Sequence, residues 1–264
     1  MKNIVMLGGK RRSGKDFSGE MLINLFGFNR VSFGEELKNH IYKLLGIDFS
    51  VGESMKNNDE IIKMSFTDFS NSLDNMIKEM CVDQGVDYSV VEELYEEYNI
   101  KMGNAVCSDG FTSCLLKEMK VSSEFDAFEQ DVILDISVRL ALQWCASYMK
   151  KIFGDDVWAK YGLKKVLDCE TDNVVITDFR FPYEDFSGFL GTHLVDERLN
   201  IVTIEVLGKN RYHYDPLIDS HESETALKDY KFDYVLNNTV HGEPSILTVQ
   251  LKAILNERGI TWRM

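Results

Sequence analysis

The run Gly9-Lys10-Arg11-Arg12-Ser13-Gly14-Lys15 spaces two glycines and a lysine as Gly-x-x-x-x-Gly-Lys. Glycines let a backbone curl until successive N–H groups face one point, and a helix starting there adds positive potential; both suit a polyphosphate. Lys15 would reach the β- and γ-phosphates, and Ser13 is a further donor. Lys10, Arg11 and Arg12 make this the most basic stretch of an acidic chain, so cationic charge collects where the anion would bind. Position 16 departs from the usual pattern. A Ser or Thr hydroxyl commonly ligates Mg²⁺ there, whereas Asp16 offers a carboxylate, directly or through water.

A second constellation is Thr177-Asp178-Phe179-Arg180, directly after the apolar run 174–176. An Asp at the end of a buried strand can hold Mg²⁺ or orient a basic side chain. Arg180 presents a planar fork to phosphate oxygens. Glu184, four residues on, can orient Arg180 if a helical turn follows Pro182.

These residues need strands and helices to carry them. Residues 4–7 are apolar and closed by Gly8 and Gly9, as in a buried parallel strand. A helix follows the loop through Phe26, a strand is expected over 30–33 and a helix over 35–45. Residues 174–177, 201–206 and 234–236 read as further strands. A last helix has Pro244 in its first turn and Gly259 past its end. Strands alternating with helices imply a parallel α/β sheet covered on both faces. The stretch 46–129 is more polar and acidic, with helix-like patches at 58–64, 73–80 and 90–98, and reads as a mainly helical insertion or cap. From 130 to 153 one helix is expected, with Ile133, Ile136, Leu140 and a core Trp144 on one face and Arg139, Gln143, Ala146 and Lys150 beside them.

With 29 Lys plus Arg against 43 Asp plus Glu, the net charge of −14 opposes nucleic acid and anionic membranes. Hydrophobic residues at 44% allow a sizeable core and argue against disorder. Five scattered cysteines, without a Cys-x-x-Cys pair, point to reduced thiols in a cytoplasm rather than zinc or disulfides. The apolar run at the N-terminus is too short for a secretory signal, and no segment is long enough to span a bilayer. A monomer and a homodimer both remain open.

The loop with Asp16 after its lysine resembles that of phage-type deoxynucleoside monophosphate kinases and of the related animal-type phosphomevalonate kinases. Residues 139–144, 153–158 (Phe-Gly-Asp-Asp-Val-Trp) and 177–184 look like the phage enzymes specifically, and 219–224 with 233–238 are similar to their C-terminal segment. The likeness covers roughly 1–45 and 130–257. It implies a P-loop kinase core of three layers over 1–45 and 130–264, ATP and Mg²⁺ as cofactors, and a deoxynucleotide acceptor. Arg139 and Gln143 would then bind the acceptor's phosphate and base edge, and Trp158 would stack on it or crowd its sugar. Lys209 and Arg211 would belong to a lid. His221, Ser223 and Glu224 match without a definite chemistry. Leu140 stands where the family often has a second basic residue, Ala146-Ser147 where it has Gly-Thr, and Phe17 where it has Thr. Two other readings stay open: a kinase of another small phosphorylated acceptor such as phosphomevalonate, and a non-catalytic nucleotide-binding switch.

Overall fold

The computed structural model describes residues 1–10, 12–58, 60–102, 122–124, 133–190, 199–208, 225–238 and 244–262. The chain divides into two compact units, Met1–Glu35 with Trp158–Met264, and Glu36–Val157.

The first unit is built on strand β1 (Lys2–Gly8), which is buried along its whole length. Such burial demands cover on both faces, and the side chains alternate to meet it. Val5 and Leu7 point into one core and Ile4 and Met6 into the other. Helix α1 (Lys15–Phe26) follows the loop, and β2 (Asn29–Val31) returns the chain to the sheet. Later strands of this unit are β6 (Asn173–Ile176), β7 (Leu199–Gly208) and β8 (Tyr234–Asn238). All pairings are parallel, in the order β2-β6-β1-β7-β8. Helix α1 and the last helix, α8 (Pro244–Glu257), bury Met21, Leu22, Phe26, Leu247, Leu251 and Leu255 on one face. Helix α7 (Val157–Asp168) and the segment through Phe186 and Phe189 close the other with Ala159, Leu163 and Val166. This is a three-layer α/β fold with a central parallel sheet, as the alternating pattern predicts, and it is consistent with the P-loop-like fold that the resemblance implies.

Register at the far edge of the sheet is held by side-chain amides. Asn200 donates to Asn3 at 3.0 Å, Asn3 donates to Asn173 at 2.8 Å, and Asn173 donates to the Thr261 carbonyl at 2.8 Å. The three asparagines are direct neighbours across β7, β1 and β6. A one-residue slip would break the row and turn every apolar side chain to the wrong core.

The second unit carries α2 (Phe33–Leu44, from Glu36 on), α3 (Phe49–Asn57), α4 (Phe66–Gln84), α5 (Ser89–Met102) and α6 (Val138–Phe153). It also holds an antiparallel sheet of β3 (Ile61–Ser65), β5 (Ile133–Ser137) and β4 (Ser122–Glu124), in the order β3-β5-β4. The unit is therefore wider than the expected 46–129 insertion, because most of α2 and all of α6 fall within it.

Two expected helical stretches are strands. Residues 61–65 pair with 133–137, so the patch at 58–64 is not a helix. Ile133 and Ile136 belong to β5 rather than to a helix beginning at 130, and α6 starts only after Ser137, whose hydroxyl accepts the Leu140 N–H. Alternation explains the error: Leu134 and Ile136 are buried while Ile133 is exposed, a period of two that also fits a helical stripe over so short a run. The buried face of α6 is Val138, Ala141, Leu142, Cys145, Tyr148, Met149 and Phe153. Leu140 and Trp144 are only half-buried, which corrects the placing of Trp144 in the core.

Helix α1 rests on β6 through a glycine. A Cβ on Gly19 would lie 2.3 Å from the Thr177 methyl carbon, closer than packed carbons approach. Gly19→Ala is expected to cost about 1–3 kcal/mol as overpacking, read as a lower urea midpoint with unchanged slope; an unchanged midpoint would contradict this contact.

Candidate active site

The loop 9–14 must carry the chain from the end of β1 into α1 within six residues. Among its described residues three have positive φ: Gly9 at 129°, Arg12 at 62° and Gly14 at 100°. Gly14 also forms the N-cap of α1, where no side chain supplies a cap among the described residues. The first N–H groups of a twelve-residue helix therefore open toward the loop with the positive end of its dipole. Ser13 buries its hydroxyl, which has no hydrogen-bond partner among the described residues. Lys15 lays its ammonium across the bend, donating to the Gly9 carbonyl at 2.7 Å and the Lys10 carbonyl at 2.8 Å. An uncapped helix start, a buried donor and a lysine over the loop are features that would suit an anion. Lys10 and Arg12 are exposed beside it; Arg11 lies outside the described residues.

The register brings Asp178 and Arg180 to the same edge of the sheet. Met6 of β1 is paired with Ile176 of β6, so residues 177–180 leave β6 beside the point where β1 enters the loop. The chain runs from β1 to β2 on one side and from β6 to β7 on the other. Adjacent strands whose connections part in this way leave a crevice at their carboxyl ends, where open α/β sheets bind ligands. Asp16, Asp178 and the loop thus belong to one unit and one rim.

The carboxylate of Asp178 has a different occupation from the expected one. It accepts the Ser32 hydroxyl at 2.7 Å, the Phe33 N–H at 3.2 Å and the Gly34 N–H at 2.9 Å. Those donors begin α2, so Asp178 caps that helix from the neighbouring strand. Asp16 keeps most of its surface exposed and pairs with Arg30 at 3.4 Å, a cation at the site that the sequence reading passed over. Among the described residues no three His, Cys, Asp or Glu side chains cluster as a metal site. An Mg²⁺ ion carried by a nucleotide needs only one or two carboxylates besides phosphates and water. Asp16 fits that demand better than Asp178.

Glu184 is buried at the end of a 3₁₀ turn, Pro182–Glu184. Its carboxylate accepts the main-chain N–H groups of Arg180 at 2.6 Å and Phe181 at 3.0 Å. It thereby holds the backbone from which the exposed Arg180 side chain projects. Trp158 is buried and stacks on Tyr161 with centroids 6.0 Å apart.

Three further contacts brace the loop, and none was read from the sequence. A Cβ on Gly208, at the end of β7, would lie 2.5 Å from the Ser13 Cα. A Cβ on Gly9 would meet the Val206 carbonyl oxygen at 2.6 Å. Asn238, at the end of β8, donates its side-chain amide to the Ser13 carbonyl at 2.9 Å.

Arg139 and Gln143 lie in the second unit, both exposed on α6 one turn apart. The Arg139 guanidinium donates to the Lys56 carbonyl at 3.1 Å, at the last turn of α3. Lys56 and Lys38 bracket Glu53 at 2.7 and 3.1 Å, and the Tyr42 hydroxyl donates to it at 2.7 Å. Burial raises the Glu53 carboxyl, but the Lys56, Tyr42 and Lys38 hydrogen bonds outweigh it and hold the group at about 2. Lys209, Arg211, His221, Ser223 and Glu224 lie outside the described residues.

No protein-family model matches the chain, and no curated protein matches it. No described helix is long and apolar enough to cross a membrane.

Asp178→Ala strips three donors of one acceptor. Melting in denaturant should show a loss of about 1–3 kcal/mol in the absence of any nucleotide; an unaltered melt would remove its capping role. Glu53 gives a pH test. Its folded pKa of about 2 lies below the ordinary 4.5, so the unfolded chain binds more protons and stability rises with pH across that window. As pH falls from about 4.5 toward 2, the native chain should lose stability relative to Glu53→Gln, whose curve lacks this term; parallel curves would contradict the assignment.

Proposed function

We propose that the chain is a phosphotransferase that moves the γ-phosphoryl group of ATP onto the 5′-phosphate of a deoxynucleoside monophosphate, giving a deoxynucleoside diphosphate and ADP. The observation that carries the reading is the shared rim: the Gly9–Gly14 bend and the Asp178–Arg180 step leave neighbouring parallel strands at one end of the sheet. A loop of that form supports binding of a triphosphate, and a guanidinium at the adjoining strand end supports handling of a second anion. Four stretches that resemble those of the phage-type kinases, in the same order along the chain, favour a deoxynucleotide over other phosphorylated acceptors.

The chemistry asks little of a general base. A phosphate monoester has its second pKa near about 6, so at neutral pH the acceptor oxygen is already a nucleophile. What the protein must supply is alignment and cancellation of repulsion between two anions. Lys15 and Arg180 would cover the transferring group, with the loop N–H groups and Ser13 on the triphosphate. Asp16 would hold Mg²⁺, directly or through water, and when bound the ion would neutralise charge on the β- and γ-oxygens. Asp178 would act at a distance, by fixing the start of α2. Arg139 and Gln143 would bind the acceptor's phosphate and base edge. The setting that follows is a cytoplasm, that of the host if the chain is phage-encoded.

Coupled ADP-release assays across deoxynucleotides, ribonucleotides and phosphomevalonate test the acceptor. A deoxynucleotide-dependent rate is expected. Lys15→Ala and Arg180→Ala should each lower it by about 10²-fold or more with the fold intact. Full activity in either variant would refute its role, turnover only on another acceptor would replace the substrate, and nucleotide binding without turnover on any acceptor would make the chain a switch.

A further inference from the structure

We infer that Asn238 is a positioning residue of the phosphate loop: by holding the Ser13 carbonyl it sets the direction of the Gly14 N–H toward a bound polyphosphate. The inference rests on the reading of the loop as a triphosphate site. In a trans peptide the C=O and the following N–H point in opposite directions, and the described chain contains no cis bond. Asn238 Nδ2 lies 2.9 Å from the Ser13 oxygen, so that carbonyl is turned toward β8 and the Gly14 N–H is turned away from it. Only the amide nitrogen can face a carbonyl, because the amide oxygen there would repel it. The peptide needs such a hold, since Gly14 has no Cβ to restrict it and its φ of 100° is open to glycine but strained for other residues.

Asn238 is itself held. The side-chain amide of Gln250 on α8 clamps the residue before it, accepting the Asn237 N–H at 2.9 Å and donating to the Asn237 carbonyl at 3.2 Å. Across the sheet Asn238 pairs with Gly208, so these two residues approach Ser13 from one rung of the ladder. The fit leaves no spare room: a Cβ on Gly14 would lie 2.0 Å from Asn238 Nδ2. The residue type also suits the task. An amide supplies a neutral donor, whereas a carboxylate would repel both the Ser13 carbonyl and the phosphates.

The test compares the full chain with Asn238→Ala and with Asn238→Leu, which keeps the bulk and loses the donor. Calorimetric titrations use MgATP and inorganic tripolyphosphate as probes, alongside a melting curve and the KM for the acceptor. Affinity for both probes should fall about tenfold as the loop loses its preset geometry, while the acceptor KM stays close to that of the native chain and the melting midpoint falls by no more than one part-buried hydrogen bond accounts for. Unchanged affinity for both probes overturns the inference and leaves the nucleotide reading standing. Weaker binding of ATP with undiminished binding of tripolyphosphate also overturns it, because Asn238 would then read the nucleoside. Loss of the fold in both variants assigns Asn238 to the core and overturns it as well. A native chain that binds neither probe refutes the triphosphate site itself.

Discussion

After β1 the chain has six residues in which to leave the centre of a parallel sheet and begin a helix, and the candidate site is organised by how that bend is held. On the proposed reading the bend cannot be stabilised by burial, because its backbone N–H groups would have to stay open to a ligand. Three positive-φ residues shape it from within. Val206, Gly208 and Asn238, at the ends of β7 and β8, support it from one side, and the Lys15 ammonium closes over it. Each support sits at the end of a strand whose register is set elsewhere. The loop geometry is therefore a property of the whole five-stranded sheet.

That dependence explains the care taken with register at the opposite edge. The Asn3, Asn173 and Asn200 row ties β6, β1 and β7 together at their starts. With strands only four to ten residues long, alignment at one end carries through to the other. Amides withdrawn from water cost free energy unless paired, and with Asn3 buried and Asn173 and Asn200 half-buried the row disfavours any slipped arrangement more than it favours the native one.

Asp178 shows how one carboxylate at the candidate site can be wholly engaged in holding the fold. By accepting three donors from residues 32–34, it joins the end of β6 to the first turn of α2 and fixes the exit of β2 relative to the rim. Glu184 does similar work one step further on, for the backbone of Arg180 and Phe181. Both acids hold the frame from which cations are presented. In a chain of net charge −14, acids near an anion site would otherwise weaken it; here their negative charge is spent on main-chain N–H groups.

The amino-acid sequence by itself determined the elements whose signal is strong and local. Apolar runs at 4–7 and 174–176 and the β-branched stretch 201–206 marked strands, and the glycine spacing before Lys15 marked the bend, because side-chain type and φ preference act within a few residues. Short amphipathic runs at 61–65 and 133–137 stayed ambiguous, since periods of two and 3.6 coincide over so few positions, and pairing between them decides the matter. Tertiary structure alone decided that Asp178 caps a helix, that Arg30 meets Asp16, and that Asn238 and Gly208 reach Ser13 across about two hundred residues. Those contacts depend on which strands lie side by side and in what register. That is a collective outcome of packing both faces of the sheet, which no local stretch of residues encodes.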